Sequence, residues 1–163
     1  REVRSLARLE TIQYTVEKVI TAETNQGVFG KLFGDKLIFV ARGKVIGGVD
    51  LNHLSSRDLT VKDGVLEVNL PQAEVFITAL DNEKSYVYDR DTGLLTKGDI
   101  NLETAARQVA EESIEKAAIE DGILIQARQN AESFMLQLFT QLGYKQVVFI
   151  QATPVPTLVT PVP

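Results

Sequence analysis

Residues 101–143 read NLETAARQVAEESIEKAAIEDGILIQARQNAESFMLQLFTQLG, and here the periodicity of the chain changes. Leu102, Ala105, Ala106, Val109, Ser113 and Ala117 recur at helical spacing. Asn101 is suited to cap the start, and Gly122, after Asp121, stops the helix. A second helix is predicted from Ile123 to Leu142, with Leu124, Ala127, Ala131, Phe134, Leu138 and Leu142 as its apolar stripe. Gly143 is the C-cap glycine, placed where the chain must turn left-handed. The small side chains of Ala105, Ala106, Ala110, Ala117 and Ala118 predict that the first helix packs closely on its support.

Upstream of this switch the pattern has the period of strands. Ile12, Tyr14 and Val16 alternate with polar residues, as in a strand with one buried face. Asn25-Gln26-Gly27 signals a turn, and Gly30 and Gly34 flank a loop pinned by Leu32-Phe33. Lys36–Ala41 is apolar on both faces and should lie centrally. Gly43 is expected to break it, with Lys44–Leu51 resuming as a partner and Gly47-Gly48 marking a bulge or a close backbone approach. Leu59–Leu70 forms a hairpin about Asp63-Gly64, which tolerate positive φ. Glu74–Leu80 and Lys84–Tyr88 are expected to form a second hairpin about Asp81-Asn82-Glu83, with a polar turn at Asp89–Gly93. Downstream of the helices, Lys145–Gln151 is apolar on both faces and is expected to insert between other strands. The expected fold is therefore α+β: a mostly antiparallel sheet, two consecutive C-terminal helices packed on it, a final central strand and a proline-rich tail. Residues 1–151 make the one domain. Residues 152–163 hold four of the five prolines and should be extended or polyproline II.

A chain of 163 residues buries roughly 70% of its unfolded surface and needs no staples to hold a core. There is no cysteine, which removes disulfides, thiolate metal sites and cysteine nucleophiles together. The net charge is −5 and no two Lys or Arg are adjacent, so the clustered positive footprint of a nucleic-acid binder is missing. No apolar stretch approaches the roughly 20 residues needed to cross a bilayer. The chain starts at Arg1, and a signal peptide or membrane anchor is expected to be able to precede it.

Candidate chemistry is sparse. His53 is the only histidine, with Ser55 and Ser56 close by in sequence, but a serine triad needs a third group and an oxyanion hole. Asp50 follows two glycines, and its carboxylate suits a backbone N–H in a turn better than acid–base work. Asp89 and Asp91, with Asp81 or Glu83, offer oxygens to calcium, yet the spacing departs from an EF-hand and Arg90 offsets the charge. Glu111, Glu112, Glu115, Glu120 and Asp121 form an acidic face on the first helix, solvated or facing a basic partner. The stretch from Gly27 to Gly34 lacks both the P-loop Lys-Ser/Thr and the GxGxxG spacing. No catalytic residue, cofactor site or metal site is expected.

Several motifs in order resemble one family. Phe39-Val40-Ala41-Arg42-Gly43 followed by Gly47-Gly48-Val49-Asp50-Leu51 looks like the central signature of domain-of-unknown-function family 4230 (DUF4230). Leu9–Tyr14 resembles its opening strand, and Val68–Val75 its leucine-proline-x-alanine-glutamate strand pair. Ala127, Asn130-Ala131 and Leu142-Gly143-Tyr144 resemble its closing helix and glycine cap. The resemblance runs from about Leu6 to Ile150. It implies a bacterial protein, often preceded by an N-terminal membrane anchor and with no established activity.

The functional expectation is a non-enzymatic, extracytoplasmic domain that binds a protein partner or assembles as a homo-oligomer. Val155, Leu158, Val159 and Val162 of the tail are the candidate docking residues, seated on a neighbouring copy. Any contact with a membrane would run through a segment outside this chain. The alternatives are a small-molecule or calcium-binding sensor module, with its pocket between sheet and helices, and a carboxylate-dependent hydrolase using Asp50.

Overall fold

The computed structural model describes residues 8–24, 34–92, 99 and 101–150. Two long strands frame it: β1 (Arg8–Thr24) and β2 (Asp35–Asp50), antiparallel along their whole length from Thr24↔Asp35 to Arg8↔Asp50. β2 is central, as its apolar character demands. β1 lies on one side of it, and β5 (Ala73–Leu80) and β6 (Tyr86–Thr92) lie on the other. A second, three-stranded sheet holds β3 (Leu59–Lys62), β4 (Val65–Val68) and β7 (Gln146–Phe149). The helices α1 (Leu102–Glu120) and α2 (Ile123–Gln141) fall between β6 and β7 in the chain. The fold is α+β, mostly antiparallel, with two consecutive helices late in the chain.

Several local expectations are corrected. Gly43 does not end a strand. It sits inside β2, opposite Val16 on one side and Leu80 on the other, and its missing side chain makes room for Ile114 and the Ala79 carbonyl. The second hairpin does not form either. β5 and β6 both pair with β2, one after the other, and the residues between them loop out beside Arg42. That loop is stitched down: Asp81 N–H donates to the Arg42 carbonyl (2.7 Å), and the Ser85 hydroxyl accepts from Arg42 N–H (3.0 Å) and donates to its carbonyl (3.1 Å). Asp89–Thr92, expected as a turn, therefore continues β6. The first hairpin is as predicted, with φ of 50° at Asp63 and 83° at Gly64, and Leu66, Val68 and Leu70 buried. The final strand β7 lies parallel to β4 at the end of the small sheet, not between strands, and Val148 stays exposed. The turn expected at Asn25-Gln26-Gly27, Gly93 and the tail lie outside the described residues.

The odd-numbered residues of β2 face the helices. Leu37, Phe39, Ala41 and Val45 pack with Ile20, Leu102, Ala106, Ala110, Ile114, Ala118 and Ile123 into one core. A second core gathers Val49, Leu51, Leu66, Val68, Ala131, Met135 and Phe139, joining α2 and the small sheet to the far end of β2. Each helix buries part of its predicted stripe, Leu102, Ala106 and Ala117 in α1 and Ala127 and Ala131 in α2, together with residues of the adjoining row. α1 buries Leu102, Ala106, Ala110, Ile114, Ala117 and Ala118, leaving Ala105 and Val109 exposed, and α2 buries Ile123, Ala127, Ala131, Met135 and Phe139, leaving Phe134 and Leu142 exposed. Of the alanines expected to pack closely, Ala106, Ala110, Ala117 and Ala118 are buried beside Leu102 and Ile114, and Ala105 is exposed. The Asn101 side chain does not cap α1; instead the Asp99 carboxylate accepts from Asn101 N–H (2.8 Å). Gly122 and Gly143 have φ of 87° and 97°. At Gly143 the chain closes as a Schellman turn, with Gly143 N–H on Thr140 O (3.0 Å), Tyr144 N–H on Phe139 O (3.1 Å), and the Tyr144 ring edge-on to Phe139.

Candidate functional site

The two faces of the large sheet differ in kind. The inner face is closed by helices. On the outer face the even positions of β2 stand in rows with their cross-strand neighbours. Val19, Val40 and Tyr86 make one row, Glu17 and Arg42 the next, then Thr15, Lys44 and Ala79, then Gln13, Ile46 and Ile77. Val19 is 65% exposed, Tyr86 54% and Tyr88 70%, a concentration of apolar and aromatic surface on a sheet flanked by charge. The Glu23–Lys36 ion pair (3.1 Å) marks the charged end of this face.

Beside that apolar row the outer face is recessed. A cavity of about 410 Å³ is lined by Gln13, Thr15, Arg42, Lys44, Asn82 and Lys84, with Asp81, Gly43, Ala79 and Leu80. The looped-out segment between β5 and β6 forms one wall. Asp81 bonds the Lys84 ammonium (3.3 Å) and accepts from the Glu83 and Lys84 N–H groups (3.2 Å each). The Asn82 carbonyl oxygen accepts from Arg107 of α1 (3.0 Å), whose guanidinium also lies 4.8 Å from the Phe39 ring centroid. The wall is thus tied to both strand and helix.

The acids singled out from sequence are occupied elsewhere. Asp50 accepts from Asn52 N–H (2.9 Å) and starts the short turn Leu51–His53, in which His53 is exposed. Ser55 is not aimed at His53. Its hydroxyl donates to Asp58 (2.5 Å), and Asp58 accepts in return from Ser55 N–H (2.9 Å) and Asn69 Nδ2 (3.0 Å), a capping box tied to the small sheet. The Ser55 hydroxyl and N–H, against the cost of burial and with help from Asn69, hold the Asp58 carboxyl below its ordinary range. Glu115 accepts from Thr78 (2.8 Å), so the acidic face of α1 is partly used against β5. Asp89 and Asp91 are exposed along β6, and among the described residues no three His, Asp or Glu side chains are grouped to hold a metal ion.

Two features had no local signal. Asp35, only 2% exposed in its side chain, takes a forked contact from Arg90 (Nη2 2.6 Å, Nε 3.2 Å) and further bonds from Asp99 N–H (2.8 Å) and Thr92 (3.3 Å). The Arg90 hydrogen bond, opposed by burial and helped by Asp99, keeps this carboxyl below the usual range. The second is the grouping of Arg42, Lys44 and Lys84. Its one trace in the sequence is two cations at alternate positions in the apolar middle of β2, between Ala41 and Val45.

The sequence pattern of a protein family of unknown function, DUF4230, matches residues 1–149. The chain belongs to the DUF4230 family. No curated protein matches the chain, and no solved structure matches it. The residues that carry the DUF4230 resemblance, scattered in sequence, converge in space. The ladder of β1 slips between Glu10 and Ile12, opposite Gly47-Gly48, and the β2–β5 ladder slips between Ile46 and Gly47. Thr11, the residue left over, donates its hydroxyl to the Ala127 carbonyl (2.8 Å), and its own carbonyl accepts from Asn130 Nδ2 (3.0 Å). Above Gly48 lie the Leu9 carbonyl and the Phe76 ring, itself covered by the Arg8 guanidinium at 5.1 Å. In DUF4230 terms, the signature glycines are where two bulged ladders and a helix meet.

Proposed function

We propose that this chain is a non-enzymatic, extracytoplasmic binding and self-assembly domain of a bacterial protein, which docks the proline-rich tail of a neighbouring copy on its outer sheet face. One observation supports the reading above others: Val19, Tyr86 and Tyr88 are solvent-exposed around the half-buried Val40, while the inner face of β2 is buried against the helices. The occupant follows from chemistry. Residues 152–163 carry no charge and contain four prolines and the apolar Val155, Leu158, Val159 and Val162. Proline-rich extended segments dock on exposed aromatic rings because their ordering cost is already met by the polyproline conformation. Ile150 N–H is bonded to the Val68 carbonyl, and Val68 packs with Val49, so the tail departs near that end of β2. Attachment to a membrane runs, in this reading, through a segment outside the sequence; among the described residues no helix is long and apolar enough to cross one.

The test compares the chain with and without Thr153–Pro163, and with Tyr86→Ser, by sedimentation velocity over a concentration series. Both changes should lower the mass to that of the single chain. Assembly that persists in both, or a parent chain that is monomeric throughout, refutes the reading.

A further inference from the structure

The recess beside the apolar row is positive on a chain whose formal net charge is −5. Its lining holds three cations and one acid, and the acid is already engaged: Asp81 is bonded to Lys84 and to two backbone N–H groups. Among the described residues Arg42 and Lys44 form no ion pair. Glu17, the cross-strand neighbour of Arg42, does not line the recess and does not pair with it. The Arg42 backbone is fixed at the recess, its N–H by Ser85 and its carbonyl by Ser85 and Asp81. Neutral polar groups complete the lining: the Thr15 hydroxyl and the amides of Gln13 and Asn82. The Asn82 amide is oriented, since its oxygen is committed to Arg107 and its NH₂ is left as the donor.

We propose that this recess binds a small organic oxyanion, a carboxylate or phosphate compound of metabolite size, with Arg42 and Lys44 as its charge partners and Thr15 and Asn82 as neutral donors. Charge sets the class: unpaired guanidinium and ammonium groups facing a concave surface attract oxyanions, and arginine binds them with its planar fork. Size sets the scale. A cavity of about 410 Å³ falls in the range of small-ligand pockets and exceeds what a bare inorganic ion or one acidic side chain of a partner protein would fill. The same charge argues against calcium at this place. The inference stands on the recess alone and does not require tail exchange.

The test is a titration of the full chain with citrate and, separately, inorganic phosphate at constant ionic strength, followed by amide shifts in ¹⁵N–¹H spectra. Saturable shifts centred on Thr15, Arg42, Lys44, Ala79 and Asn82 are expected, and saturation by one probe and not the other identifies the headgroup. Arg42→Gln and Lys44→Gln should each weaken binding about ten- to hundredfold, the worth of one hydrogen bond to an ionised partner. Lys116→Gln, on α1 and paired only with Glu120 at 3.8 Å, should leave affinity unchanged. Arg42→Lys keeps the charge without the fork, and it too should weaken binding should the glutamine variant not fold. Shifts that never saturate, shifts spread over every surface lysine, or full affinity in all Arg42 and Lys44 variants overturn the proposal.

Discussion

Adding one methyl group at each of two adjacent glycines should give opposite results. In Gly48→Ala the new Cβ would overlap the Leu9 carbonyl oxygen outright and lie 2.6 Å from Phe76 Cε2. The Phe76 ring can swing aside, at the cost of its contact with Arg8. The Leu9 carbonyl cannot, because it belongs to the β1 backbone at the bulge that sets the register with β2. The cost therefore sits at or above the top of the usual overpacking range, about 3 kcal/mol or more. In Gly47→Ala the nearest atoms are Ile123 Cγ1 at 3.4 Å, Ala127 Cβ at 3.5 Å and Ile12 Cγ2 at 3.5 Å, which is ordinary van der Waals contact. Loss of unfolded-state freedom also favours alanine there by about 0.4–1 kcal/mol, so the net change should stay within about 1 kcal/mol. Gly43→Ala should fall between, with the Ala79 carbonyl at 2.9 Å but the movable end of Ile114 at 3.1 Å. Urea unfolding followed by circular dichroism reads the series. With an m-value of about 1–3 kcal/mol per molar, Gly48→Ala lowers the midpoint by about 1–3 M or leaves no folded protein, while Gly47→Ala stays close to the parent. Equal losses at Gly47 and Gly48, or a Gly48→Ala midpoint near the parent's, would falsify the view that backbone approach explains this glycine pair.

Two further predictions concern polar contacts. Asp35→Asn strips the charge from a buried carboxylate that accepts from Arg90, Asp99 and Thr92, and should cost about 2–3 kcal/mol at pH 7, somewhat under the full value for a buried pair because Arg90 is 33% exposed. The Asp35 carboxyl is held below its ordinary value of 3.8, so the unfolded chain takes up its proton first as pH falls; the contribution is complete above about pH 4 and shrinks below it. Urea midpoints across that range should show parent and variant converging in acid, and a constant gap would contradict the assignment. Asn130→Ala removes the donor to the Thr11 carbonyl at the β1 bulge and should cost about 1–2 kcal/mol, with faster hydrogen exchange at the flanking amides of β1; unchanged exchange there would show that the bulge does not depend on α2.

Period and turn chemistry made much of this fold legible before any coordinates. Asp63-Gly64 needed positive φ and received it, and Gly143 closed its helix as the motif requires. The failures have physical causes. Gly43 looked like a breaker because a lone glycine in a strand is ambiguous: it can end pairing or admit a neighbour, and only Ile114, seventy-one residues later in the chain, decides which. Asp81-Asn82-Glu83 has the composition of a hairpin turn, but β2 is long enough to pair with β5 and β6 in succession, and Ser85 bridges the gap. The helix faces were legible in part: the alanines of α1 pack on the sheet as expected except Ala105, but Ile114, Met135 and Phe139 take core places assigned to Val109, Phe134 and Leu142, because apolar residues flank the stripe on both sides and only contact with β2 and the small sheet chooses between them. The recess was invisible because its cations come from β2 and from a loop some forty residues away, and nothing local to Arg42 or Lys44 announces Lys84.

The period of β2 separates stability from function along one strand. Odd positions (Leu37, Phe39, Ala41, Val45, Val49) are wholly buried, and the DUF4230 signature glycines sit at the bulge that fixes its register. Even positions (Val40, Arg42, Lys44) look outward, into the apolar row and the recess. A surface substitution that breaks no buried contact usually shifts stability by less than about 0.5 kcal/mol. Changes at Val40, Arg42 and Lys44 should therefore leave the urea midpoint in place while altering assembly or anion binding, and changes at Leu37, Phe39, Ala41, Val45 and Val49 should do the reverse. The two proposals separate in the same way, since Val40 belongs to the row and Arg42, its neighbour but one, to the recess. Val40→Ser should weaken assembly without touching citrate or phosphate affinity, and Arg42→Gln should do the opposite. A variant that moved both readouts together, at an unchanged midpoint, would mean that row and recess are one continuous site serving one partner.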